Sequence, residues 1–140
     1  MGAWAAHSDR TRERYVHVAV ACGIGGTALI AAGLAHGLIV ATVGFLALAI
    51  AGVMAARPPF WAIPPDFLKG GEAAAGIAAI NAIGNLGGFF GPTLIGWVRE
   101  ATGNFTLGLM ISAVSLLLSA GLSLFLKRMA GRATALVHAA

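Results

Sequence analysis

Charge is scarce in this chain. Lys, Arg, Asp and Glu make up 10% of its 140 residues, against 59% hydrophobic residues. A soluble domain of this size normally carries about a quarter charged residues to solvate its surface. A water-facing exterior is therefore excluded, and the length is better counted in bilayer-crossing helices than in soluble domains. Cysteine is nearly absent. Cys22 stands alone inside an apolar run, so no internal disulfide forms, no metal-ligand spacing surrounds it, and it reads as a small packing residue. Met1 to His7 is too short for the apolar region of a cleaved signal, and a basic stretch follows it. Carboxylates are missing from the apolar interiors, since Asp66, Glu72 and Glu100 lie in or next to connections. No intramembrane acid offers a coupling site. Ser112, Ser115, Ser119 and Ser123 lack a partnering intramembrane His and read as backbone-bonded or packing groups. The chain is not read as an enzyme and calls for no cofactor.

What is present is long apolar runs. They cover about 16–34, 38–60, 73–98 and 105–126, each near or above the roughly 20 residues that cross the hydrocarbon core as a helix. An open strand in lipid would leave its backbone groups unsatisfied, so the expected fold is an all-α membrane protein of four transmembrane helices. Abundant Gly and Ala suit close helix contact. Pro58-Pro59 and Pro64-Pro65 bracket the end of the second run, which should kink or break there. Thr102-Gly103-Asn104 reads as a turn, with Asn104 capping the last helix.

The few charges alternate. Arg10, Arg12 and Arg14 precede the first run, Arg57 and Lys69 lie near the second connection, and Lys127, Arg128 and Arg132 follow the last run. The His36-Gly37 turn has no basic residue, and at the third connection Arg99 is offset by Glu100. The positive-inside rule then puts both termini and the 66–72 loop in the cytoplasm, as expected for a multi-pass protein of the cell inner (plasma) membrane. The same rule accounts for the net charge of +4 without nucleic acid as a partner. Residues 127–140 read as a short cytoplasmic tail.

The third run carries the most pattern. At helical spacing Asn81, Asn85, Gly88 and Pro92 fall on one line, with Gly84, Gly87 and Gly91 beside it. Ile83, Leu86, Phe90, Leu94 and Trp97 occupy the other face. Buried amides must be hydrogen-bonded. Two readings stay open: Asn81 and Asn85 line a water-filled cavity and bind a polar solute, or they hydrogen-bond a neighbouring helix. The glycines and Pro92 suit a closely packed, bendable segment. Arg57 either attracts an anionic solute or snorkels to the interface, and Trp61 either lines the solute path or anchors the helix end.

The segment Gly2 to Arg14, with His7-Ser8-Asp9-Arg10-Thr11-Arg12-Glu13-Arg14 at its end, resembles the basic cytoplasmic loop motif of the major facilitator superfamily, in the copy between helices eight and nine. Pro58-Pro59-Phe60-Trp61-Ala62-Ile63-Pro64 is similar to helix ten of the anion:cation symporter branch (organic anion and phthalate type), and Ala74 to Pro92 is similar to its helix eleven. Gly96-Trp97 and Ala101-Thr102-Gly103 extend the likeness, which covers Gly2 to about Leu126.

The resemblance implies part of the C-terminal bundle of a twelve-helix fold. Residues 1–15 would hold the end of helix eight and its basic loop, and 16–126 would hold helices nine to twelve. It implies secondary transport of small organic anions by alternating access, with protons as a candidate coupling ion. In that reading Asn81, Asn85, Trp61 and Arg57 serve the substrate, while Asp9, Arg10 and Arg14 form a gating loop. Gly84, Gly87, Gly88, Gly91 and Pro92 are then structural. Besides the lipid bilayer and the anion, the expected partners are the missing N-terminal helices or another membrane chain, without which the chain is inactive. The rival expectation is a small four-span protein or gene remnant that acts only by assembling with another chain.

Overall fold

Long apolar runs form helices in a bilayer because helix satisfies every backbone group locally. The computed structural model describes residues 2–11, 13–35, 37–68 and 70–138, and the side chains at 2, 3, 5, 6, 9, 67 and 133–138 lie outside the description. Its elements are α1 (Gly2–Thr11), α2 (Arg14–Leu34), α3 (Ile39–Trp61), α4 (Pro64–Phe67), α5 (Gly71–Thr102) and α6 (Thr106–His138). Four of these, α2, α3, α5 and α6, are long and apolar enough to cross a membrane. The expected all-helical architecture is therefore present.

The helix ends follow local chemistry. α3 continues through Pro58 and Pro59, breaks at Ala62–Ile63, and the chain re-enters helix with Pro64 and Pro65 opening α4. Proline suits that first turn because the amide hydrogen it lacks has no intrahelical partner there. Gly103 closes α5 in the left-handed conformation (φ 67°), its N–H donating to the Arg99 carbonyl at 2.8 Å. Asn104 Oδ1 then accepts from the Thr106 N–H at 2.8 Å and caps α6. Pro92 lies inside α5 without ending it. α6 stays helical to His138, past the end of its apolar stretch near Leu126, because 127–138 contains no proline to stop it.

α2 is the hub. It packs along both α3 and α6, whereas α5 meets α4 and α6, and far more sparsely. The interior is built from small side chains: Val18, Ala21, Cys22 and Ala56 form its buried centre. Between apolar helices in lipid the hydrophobic effect gives little, and close van der Waals contact does the holding. Glycine makes that contact possible. A Cβ on Gly52 would lie 2.8 Å from the Ala21 carbonyl oxygen, and one on Gly26 would lie 2.9 Å from Leu117.

Candidate functional site

Among the described residues, two ion pairs brace the charged end of the bundle. Arg14, the first residue of α2, reaches the Asp66 carboxylate of α4 at 2.6 Å and also donates to the Ala62 carbonyl at 2.8 Å. It thereby ties the broken end of α3 to the start of α2. Lys127 of α6 meets Glu13 at 2.8 Å. Arg10 is exposed, the Asp9 side chain lies outside the described residues, and so does Arg12. α1 docks through rings: Trp4 stands edge-on to His17 (5.0 Å between centroids), and His7 lies 5.3 Å from the same ring. His17 is buried, with Nδ1 2.8 Å from the Glu13 carbonyl.

These pairs place the start of α2, the end of α3 and the far part of α6 at one end. Eight of the nine Lys and Arg residues belong to that end by chain order; Arg99 is the ninth. At the opposite end Arg99 sits over the Phe105 ring, 5.7 Å from its centroid.

Arg57 lies one helical turn inside α3. It lines a groove of about 340 Å³ formed by α2, α3 and α6, together with Tyr15, Val53, Leu116 and Ser123. Its guanidinium has no ion-pair partner among the described residues. Trp61, half-buried, packs edge-to-face against Phe60 at 5.3 Å. A second groove of about 600 Å³ adjoins the first, where Ile80 of α5 faces Phe60, Ile63, Leu126 and Met129.

α5 is different in kind. None of its residues is buried. Asn81 and Asn85 are exposed and make no hydrogen bond among the described residues. Added Cβ atoms on Gly84, Gly87, Gly88 or Gly91 would meet nothing within 4 Å. The close contact expected of these glycines is therefore not made among the described residues. The two ends of α5 are nonetheless held. Leu68 presses on Gly76, and Ile95 fills the space beside Gly108, where a Cβ would lie 2.8 Å from its Cγ2.

The sequence-nominated residues thus fall into separate places. Arg57 lines the α2–α3–α6 groove, Trp61 stands at the end of α3, and Asn81 and Asn85 stand on the uncovered α5. Among the described residues no group of three or more His, Cys, Asp or Glu could hold a metal. What sequence reasoning missed is the contact stripe of α2. Ala21, Gly25, Ala28 and Ala32 are all buried at spacings of four, three and four, a small-residue pattern readable in the sequence.

Comparison with known proteins places this architecture. A putative tartrate transporter of Agrobacterium vitis is 48% identical over 134 residues, covering 93% of this chain and 29% of the transporter. A quinolone resistance transporter of Acinetobacter baumannii is 36% identical over 110 residues, 79% of this chain and 25% of that protein. RhmT, an inner membrane transport protein of Escherichia coli, is 36% identical over 93 residues, 63% of this chain and 20% of its own length. The chain thus spans less than a third of the length of the relatives it matches. No family model and no solved structure matches it. The relatives are transporters rather than enzymes.

Proposed function

The chain belongs to the major facilitator superfamily, in the branch that includes putative tartrate transporters, and from that premise we propose that it supplies one side of an alternating-access path for small organic anions. It is a multi-pass membrane protein. The observation that carries the proposal is α5: a helix long enough to span, bearing Asn81 and Asn85, with no residue buried against the rest of the chain. Amides in the hydrocarbon cost free energy unless another helix or a wet cavity satisfies them. In transporters of this kind the solute site lies between two helical bundles near the midplane.

In this proposal Asn81 and Asn85 face the solute, and Trp61 flanks the cytoplasmic mouth. The Arg14–Asp66 and Glu13–Lys127 pairs brace that end as the path opens and closes, beside Arg10 and the Asp9 loop. Gly84, Gly87, Gly88 and Gly91 with Pro92 take the close approach of helices from outside this stretch, carried on the same polypeptide or on another. Eight of nine basic residues at one end support an inner-membrane orientation with both termini cytoplasmic. Protons are the proposed coupling ion, with the coupling carboxylate supplied by the other helices.

A chimera tests the reading. The matching segment of the tartrate transporter relative is replaced by this chain, and tartrate uptake is measured in vesicles. Uptake is expected to persist and to fall at least about tenfold in the Asn81→Ala, Asn85→Ala pair, the loss of two polar contacts to the solute. Unchanged uptake and affinity in the pair would make the amides packing groups. The chain alone is expected to give no uptake above empty vesicles. A chimera that folds but does not transport would favour the rival reading, a membrane chain that only assembles with others.

A further inference from the structure

The groove of about 340 Å³ between α2, α3 and α6 is apolar except for Arg57, Tyr15, Ser119 and Ser123. The two serines are already committed: Ser119 Oγ donates to the Ser115 carbonyl and Ser123 Oγ to the Ser119 carbonyl, each at 2.9 Å. Arg57 and the Tyr15 hydroxyl are therefore the donors left for a ligand. A doubly charged, water-soluble anion would find one cation and a hydrocarbon wall. A molecule with one anionic head and an apolar tail would find both of its parts matched.

Position agrees with that chemistry. Arg57 lies four residues before the end of α3, about 6 Å in at 1.5 Å per residue. Val53 and Cys22, deeper in the same groove, lie about 12 Å in from their helix ends. An arginine at Arg57's depth reaches lipid phosphates by snorkelling, and the groove continues inward past it. The groove walls also face outward, with Leu122 59% and Leu126 46% exposed. By chain order the surrounding end has eight basic residues against Asp9, Glu13, Asp66 and Glu72, a net charge of +4, whereas the far end, with Arg99 and Glu100, is neutral.

We propose that this groove is a binding site for an anionic phospholipid, its phosphate held by Arg57 and Tyr15 and an acyl chain laid along Val18, Val53 and Leu116. The site is separate from the α5 face and does not depend on the transport reading. It requires the multi-pass membrane setting alone.

The test uses the full chain in zwitterionic micelles, titrated with phosphatidylglycerol or with phosphatidylcholine of the same acyl chains, bound lipid being counted by native mass spectrometry. One phosphatidylglycerol is expected to be retained per chain, preferred about fivefold or more, the scale of one basic residue near an anionic surface. Arg57→Gln removes the preference, Arg57→Lys keeps most of it, and Arg132→Gln leaves it intact, with helical content followed by circular dichroism. Inorganic phosphate does not displace the lipid. Equal retention of the two lipids by the unaltered chain would overturn the proposal, whether or not Arg57→Gln folds. So would undiminished preference in Arg57→Gln, or displacement by millimolar phosphate, which would assign the groove to a soluble anion.

Discussion

α2 and α5 are both glycine-rich apolar helices, yet one is the buried hub and the other has no buried residue. The difference lies in what each glycine meets. On α2, Gly25 and Gly26 stand against Ala49, Leu116, Leu117 and the Ala113 carbonyl, and Gly33 against Met110. On α5, Gly84, Gly87, Gly88 and Gly91 stand against nothing among the described residues. α2 also carries its polar group inward, with buried His17 bonded to Glu13, while α5 holds Asn81 and Asn85 out. A small-residue face therefore says that a close partner fits. It does not say that the partner lies within the same stretch of chain.

Stability measurements sharpen this contrast. Gly52→Leu should cost the most, about 3 kcal/mol, because the new side chain runs into the Ala21 carbonyl and the Gly25 backbone, which cannot rotate away. Gly88→Leu should stay within about 0.5 kcal/mol in the same chain, since it meets open space. Unfolding in mixed micelles compares the two. Equal losses would erase the distinction between the helices.

Arg14→Ala comes next. Its partner Asp66 is 52% exposed, so water screens the pair, and a loss of about 1 kcal/mol is expected from the ion pair and the Ala62 bond together. A double-mutant cycle with Asp66→Ala isolates the pair. A coupling energy indistinguishable from zero would make this brace ornamental.

How much of this was readable in advance differs between the helices. The spans were legible because a run of about 20 apolar residues has one stable form in lipid. The ion pairs were half legible: charge alternation puts Arg14 and Asp66 at one end, but no spacing rule joins residues 52 positions apart. The hub was not legible from hydropathy, since a helix that is apolar all round shows no preferred face. The small-residue stripe at Ala21, Gly25, Ala28 and Ala32 carried that information instead. On α5 the asparagine line drew attention because polar groups are conspicuous in lipid, yet neither amide is hydrogen-bonded among the described residues. Arg57 was nominated for the solute, and the structure seats it in a groove without α5.

Smaller effects complete the contrast. Asn81→Ala with Asn85→Ala should change the stability of the isolated chain by less than about 0.5 kcal/mol, since neither amide is bonded among the described residues. A larger loss would reveal an internal partner. Lys127→Ala should cost about 0.3 kcal/mol, as both members of that pair are well exposed. A loss near that of Arg14→Ala would show that the α1–α2 loop grips α6 more firmly than its exposure suggests.

The most direct test follows two thiols in the tartrate transporter chimera, with its other cysteines removed. Cys22 reports on the packed hub, and Asn85→Cys on the open helix. Their rates of reaction with a membrane-impermeant maleimide are compared with and without tartrate. Position 85 is expected to react and to be protected by tartrate, while Cys22, 6% exposed, stays unlabelled. Reaction at Cys22 as fast as at 85, or no protection at 85, would contradict α5 as the solute-facing helix.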